Sequence, residues 1–429
     1  MIHILKTYRT HLVLLFASVL FASFLTEGFL TVYLLLQYGK VGREELIRAR
    51  AELRDDIVGG SGNRFENRLV LHPFFGYTYN PKDKGINNFG FPAQYDISFD
   101  TSRYSIKDHS RSDSLVIGMF GGSFAELTGK EHAYLEERVK PIFPDKKPIV
   151  MNFAVGGHAL PQSAFIYLYF QELFDVVVFI DGLNELWNSV ENNNAGVPPE
   201  YAKAAHYIYK ISRQELTPTQ FERTSQIISL KRNIDNITWL SLLPIIRQSL
   251  FIHAAWKVLH MYWSRRISER SLDIANSYNS TAKFIDTEED AILNYAAREW
   301  RRYHIGIHNL STMEGVRSFH LLQPNPFVPN SKTLTPQEKK LIENSYPIAP
   351  RYVMSGYPKL QAEIANMREQ GVIVEDLTNV FKAIDTSIWI DAGHANDKGS
   401  RLVMDKIVEL IRANKNSITN LRKVEVERR

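Results

Sequence analysis

The stretch "LVIGMFGGSFAE", residues 115–126, sets the fold. Seven residues (115–121) with the length and apolarity of a buried strand end on the first of two glycines, and a serine and a helix-like segment follow. Four more short apolar runs follow: "PIVMNFAV" (148–155), "VVVFIDG" (176–182), "FHLLQP" (319–324) and "VIVEDL" (372–377). Between and after them lie helix-like segments at 132–143, 160–174, 358–370 and 400–415. Strands apolar on both faces that alternate with helices imply a parallel sheet covered on both sides. The expected fold is α/β, in three layers.

Composition narrows the function classes. The 429 residues are 44% hydrophobic and 23% charged, an ordinary globular balance with length for more than one domain. A net charge of +4, with no Lys/Arg run interleaved with aromatics, gives no nucleic-acid footprint. The absence of cysteine excludes disulfides, thiolate catalysis and Cys-bound zinc.

At the N-terminus, the 25 residues Leu12–Leu36 are apolar apart from a few small polar residues and Glu27. At about 1.5 Å per residue they would span a hydrocarbon core of roughly 30 Å, and they exceed the apolar core of a cleaved signal peptide. The expectation is an uncleaved membrane anchor within residues 1–40. Glu27 is costly in lipid and implies a partner helix or a protonated state. Lys40, Arg43, Arg48, Arg50 and Arg54 after the run outnumber Lys6 and Arg9 before it, which opposes an extracytoplasmic placement of the remainder. Large domains, however, cross largely regardless of such charge.

A charged helix (41–56), a "VGGSGN" joint and an aromatic-rich leader of short strands occupy residues 41–113. The α/β domain is expected over 114–190 and 311–415, with a helical insertion at 191–310 and a basic tail at 416–429. Within the insertion, 237–263 is strongly apolar, but Pro244, Arg247, His253, Lys257 and His260 interrupt it too often for a membrane span. It reads as buried helices, or as an interfacial lid.

The carboxyl ends of parallel strands line one crevice, where ligands bind. Ser123 follows the first strand. "NFAVGGHAL" (152–160) ends the second with Gly156 and Gly157, whose N–H groups can face an oxyanion, and "FIDGLNELW" (179–187) ends the third with Asn184, a side-chain donor. Near the C-terminus "IWIDAGHANDKGS" (388–400) sets Asp391 three residues before His394, ahead of the last helix. Taken singly, each has a bland reading as a turn, a cap or an exposed histidine. Their order at successive strand ends does not. An α/β-hydrolase elbow would need glycine two residues after the serine, where Ala125 stands, and its acid and histidine would come from separate loops.

Ser123, Gly157, Asn184 and Asp391-x-x-His394, in that order, resemble the blocks of the SGNH/GDSL hydrolase family. The "INNFGF" leader is similar to that of its membrane-anchored bacterial members. The likeness covers roughly 114–190 and 315–412. Gly122 stands where that family commonly has Asp, and Glu185 where it usually has Asp. The resemblance implies an esterase or O-acyltransferase in which Ser123 is nucleophile, His394 base and Asp391 its orienting acid, with Gly157, Asn184 and the Ser123 N–H holding the oxyanion. Glu126, His158 and Glu185 would flank the site. No metal and no cofactor are implied. The expected substrate is an acylated carbohydrate or lipid of the cell envelope or a secreted glycan, met outside the cytoplasm. A non-catalytic scaffold holding envelope proteins through the helical insertion, and an esterase using 237–263 as a lipid-facing lid, are the alternatives.

Overall fold

A computed structural model describes residues 2–38, 41–58, 69–99, 104–110, 112–202, 218–278, 283–343 and 349–419. The expected joint at 58–63 lies almost entirely outside the described residues, as does most of the tail. The chain groups into two units, Met1–Arg68 with Leu216–Tyr278, and Leu69–Glu215 with Asn279–Arg429.

The second unit is built on a five-stranded parallel sheet. Its strands are β5 (Ser114–Gly121), β6 (Lys147–Asn152), β7 (Val176–Asp181), β8 (Arg317–Leu322) and β9 (Val374–Asp376), in the order β6-β5-β7-β8-β9. All eight residues of β5 and all six of β7 are buried, as strands covered on both faces must be. Alternate residues feed two cores. Val116, Phe120, Val177 and Phe179 face one layer, and Leu115, Ile117, Met119, Val176, Val178 and Ile180 the other. The first layer receives α5 (Gln162–Phe170), α9 (Glu289–Met313) and α11 (Ala349–Glu369). The second receives α4 (His132–Val139) and α12 (Asp397–Ala413). The expected strands all form, and the α/β three-layer architecture is that of the structure.

Strand order reverses at β5, which has β6 on one side and β7 on the other. The crevice at such a switch point, beyond the carboxyl ends, is where doubly wound sheets bind ligands. Two helices start there, α3 (Ser123–Gly129) after β5 and α6 (Leu183–Asn194) after β7.

Two expected boundaries move. The leader is integral to the sheet unit: β1 (Leu69–His72) and β2 (Gly76–Tyr79) form a hairpin, β3 (Ile97–Phe99) pairs with β4 (Tyr104–Ile106), and Phe75 and Phe91 are buried in the first core. Helix α9, assigned from sequence to the insertion, also belongs here. Its Trp300 Nε1–H donates to Asp181 Oδ1 (2.6 Å), and His304 Nε2 lies 3.1 Å from the same oxygen. Both ties reach the end of β7.

The other unit is helical: α1 (Ile2–Tyr38), α2 (Arg43–Val58), α7 (Pro218–Ser241) and α8 (Leu250–Tyr278). Helix α1 covers the whole apolar run, but among the described residues no helix is long and apolar enough to cross a membrane. The expected transmembrane span is therefore not found. Glu27 shows what the second half of the run does instead. Its carboxylate accepts from Arg43 (3.0 Å), Ser249 Oγ (2.8 Å) and Phe251 N (2.9 Å), so this part of α1 packs against the start of α8. The partner helix that Glu27 called for is α8. The apolar 237–263 segment contributes to α7 and α8, with Trp256 Nε1–H donating to Thr238 Oγ1 in a buried contact (2.9 Å).

Candidate active site

The β5–α3 turn is tight for two steric reasons. Gly121 has φ +140°, and a Cβ there would lie 2.1 Å from the Ile180 carbonyl oxygen. A Cβ on Gly122 would lie 2.1 Å from Asn184 Nδ2. The backbone at Gly122 thus passes directly beneath the Asn184 amide. A side chain at 122, the Asp of the resembled family included, would displace that amide. Ser123 then opens α3 with its side chain at the crevice.

Ser123 Oγ lies 2.7 Å from His394 Nε2 and donates its proton there when the ring is neutral. On the far side His394 Nδ1–H donates to Asp391, 2.7 Å from Oδ2 and 2.9 Å from Oδ1. Asp391 Oδ1 also accepts from the backbone N–H of Gly393 and His394, each at 2.8 Å. Burial pushes the Asp391 carboxyl up, but the His394 ring and these two N–H groups outweigh it and hold it below its ordinary range. An ionised Asp391 fixes the ring with Nδ1 protonated and Nε2 free to act as base. Residues separated by 271 positions in sequence form one hydrogen-bonded line.

Asn184 Nδ2–H donates to the His158 carbonyl (2.7 Å), leaving its second hydrogen available. Gly157 adopts φ +82°, and its N–H has no acceptor among the described residues. Asn188 Nδ2–H donates to the Gly157 carbonyl (3.2 Å) and ties that loop to α6.

Glu185 bridges the two loops from behind. One carboxylate oxygen accepts from Leu160 N (2.9 Å) and the other from Gly182 N (2.7 Å). Burial, with the neighbouring Asp181 carboxylate, pushes its pKa up to about 8, against an ordinary value of 4.5. Between these values the folded chain holds a proton that the unfolded chain has lost. The stability this group contributes is therefore greatest below pH 4.5 and falls as pH rises to about 8. The urea midpoint of the native chain relative to that of Glu185→Gln should therefore fall as pH rises across that window, the comparison cancelling the titration of the other groups.

His158 turns away from the chemistry. Its ring is fully buried, with Nε2 3.0 Å from the Tyr77 carbonyl, and burial holds its pKa down to about 4. As a neutral donor it ties the leader hairpin to the sheet. Glu126 sits one helical turn beyond Ser123 and accepts from Tyr79 Oη (2.7 Å), while Tyr77 Oη donates to the Gly156 carbonyl (2.9 Å). A Cβ on Gly156 would lie 3.4 Å from Glu126 Oε2 and 3.8 Å from Ser123 Cβ. The bare face of Gly156 thus borders both. Tyr77 and Tyr79 were not apparent in the sequence, where the leader shows aromatic richness and no motif. Among the described residues no group of three or more His, Asp or Glu side chains is arranged to hold a metal ion.

No family model matches the chain, and no curated protein matches it. Among solved structures it is similar to an acetyl xylan esterase (12% identity, covering 69% of this chain and 100% of that one, TM-score 0.32). An acetylxylan esterase from Geobacillus stearothermophilus is 8% identical over 69% and 94% of the two chains, with TM-score 0.32. An alpha/beta hydrolase enzyme from the metagenome of Lake Arreo, Spain, is 11% identical over the same shares, with TM-score 0.32. At that level the likenesses carry no argument, and the reading of the site rests on its own geometry.

Proposed function

We propose that the chain is a serine esterase that removes a small acyl group from a hydroxylated alcohol. The observation that carries this reading is the line Ser123 Oγ, His394 Nε2, His394 Nδ1, Asp391 Oδ2, with both gaps at 2.7 Å. A serine hydroxyl bonded to an imidazole that a carboxylate orients is the arrangement that makes an alcohol nucleophilic at neutral pH.

Ser123 Oγ adds to the acyl carbonyl carbon as its proton passes to His394 Nε2. The tetrahedral oxyanion is held by Gly157 N–H, Ser123 N–H and the second Asn184 amide hydrogen. The carbon–oxygen bond to the alcohol then breaks, and the departing oxygen takes the proton from His394. Water repeats the sequence on the acyl-enzyme and releases the acid. If a sugar hydroxyl takes the place of water, the same steps transfer the acyl group.

The alcohol half is assigned to an acylated glycan. The Glu126 carboxylate beside Gly156 offers an acceptor to sugar hydroxyls, which an all-apolar wall would not. Association with an envelope membrane through residues 12–36 belongs to the same proposal. Its support is the apolar sequence together with Phe21, Phe24, Leu25, Phe29 and Leu36, which stand exposed along α1.

The purified full chain should hydrolyse a small acetyl ester without added metal. Acetate released to water, as against acetate recovered on an added sugar, separates hydrolysis from transfer. A folded chain that does neither contradicts the reading. Asn184→Ala should lower kcat by about 10²–10³ with KM little changed, the effect of losing one preorganised oxyanion donor. Steady-state rates on the same ester check this.

A further inference from the structure

Behind the Asp391–His394 loop lies a buried ion pair that the chemistry above does not use. The side chains of Lys332 and Glu338 are both fully buried, with Lys332 Nζ 2.8 Å from Glu338 Oε2. The Lys332 ammonium also donates to the Thr333 carbonyl (3.1 Å). Thr335 caps the helix α10 (Pro336–Glu343): its hydroxyl accepts from Glu338 N (3.2 Å), and its own N–H donates back to Glu338 Oε2 (2.8 Å). That reciprocal cap occupies Oε2. The other oxygen does something a helix cap does not require. Glu338 Oε1 accepts from Ile388 N (2.8 Å) and Trp389 N (3.0 Å), three and two residues before Asp391.

We propose that Glu338, held by Lys332, is a positioning residue that fixes the loop carrying Asp391 and His394. The loop is a closed unit standing on those two peptides. Trp389 bridges Ala395 across it, Ile390 N donates to the His394 carbonyl (3.0 Å), and Asn396 N donates to the Ile388 carbonyl (2.8 Å). A second tie joins the same two segments, Thr335 Oγ1 to Ser387 Oγ at 2.9 Å. The base of this unit therefore rests on one carboxylate that receives four donors, two from its own segment and two from the catalytic loop.

What the loop needs is an acceptor oxygen that takes two adjacent N–H groups at once, and Lys332 orients the side chain that carries it. A buried pair contributes little net stability compared with an apolar pair of similar volume, because both charges are desolvated. What the pair adds is direction. It matters because displacing a catalytic group by about 1 Å costs on the order of 10²-fold in rate. Burial raises the Glu338 pKa, but Lys332 and the three N–H groups outweigh it and hold the carboxyl down at about 2, so it stays an acceptor across the working range.

This inference rests on the esterase reading of Ser123, and its test separates the two. In the full chain, Lys332→Met/Glu338→Gln removes both charges but keeps a carbonyl oxygen for Ile388 and Trp389. Lys332→Met/Glu338→Leu removes the charges and the acceptor. On a small acetyl ester the glutamine chain should keep kcat within about three-fold of native. The leucine chain should lose about 30- to 100-fold in kcat, with KM within about two-fold. The downfield NMR signal of the His394 Nδ1–H bonded to Asp391 is read without turnover. It should persist with glutamine and vanish with leucine. Native kcat and an unchanged signal in the leucine chain would overturn the proposal. So would equal losses in the two chains, or a leucine chain that does not fold, either of which makes the pair merely structural. If the native chain shows the signal but no hydrolysis, the esterase reading fails while the signal still reports on the loop.

Discussion

Replacing Ser123 by alanine is expected to lower kcat on a small acetyl ester by about 10⁴-fold or more. The chemistry has no substitute nucleophile: the chain has no cysteine, and His394 Nε2 is aimed at the Ser123 oxygen. What remains would be the catalysis that binding and the oxyanion donors supply alone, typically about 10³–10⁴ over water. KM should change little, because the hydroxyl is spent on the reaction and not on holding substrate. The fold should be untouched. Ser123 is the first residue of α3, alanine removes its hydrogen bond to His394, and neither core contains it. Steady-state kinetics beside a thermal melt checks both halves. A Ser123→Ala chain with native kcat sinks the mechanism.

Asp391→Asn is the second large effect, expected at about 10³–10⁴-fold in kcat. The aspartate receives both the His394 ring proton and two backbone N–H groups, so its role is to fix the orientation and tautomer of the ring as well as its charge. An asparagine either turns its NH₂ toward those donors or admits the tautomer with Nε2 protonated, and that tautomer cannot take the Ser123 proton. The downfield NMR signal of the His394 Nδ1–H bonded to Asp391 distinguishes this from loss of structure. Asp391 is held below its ordinary range, so it is ionised and accepts that proton in the native chain, where the signal should be present. In Asp391→Asn the signal should vanish. A signal that persists while kcat falls would argue that Asp391 supports the loop and not the ring.

The site was readable where its chemistry is local. Asp391 stands three residues before His394, and two glycines precede Ser123; each alone reads as a plain turn, and their order at successive strand ends is what points to both halves. Strands β5, β6 and β7 were readable because burial on both faces removes nearly every polar residue from a run. What could not be read depends on contacts between distant segments. Trp300 looks like an insertion residue until Asp181, 119 positions away, is seen to receive its proton. Glu27 looks like a flaw in a membrane anchor until it is seen to meet Ser249 and Phe251. Thr335 and Glu338 spell a helix start, but nothing local says that the same carboxylate reaches Ile388. Glu185 reads as a changed residue beside Asn184, and only the fold shows it holding Leu160 N and Gly182 N. Tyr77 and Tyr79 carry no motif and reach the site because the hairpin folds over the second strand's loop.

The most direct test of the account is reaction of the full chain with a serine-directed phosphonate, read by intact mass and peptide mapping. One adduct per chain, on Ser123, is predicted, absent in Ser123→Ala and strongly slowed in His394→Ala. A folded native chain that takes up no phosphonate, or a Ser123→Ala chain labelled as fast as native, would contradict it.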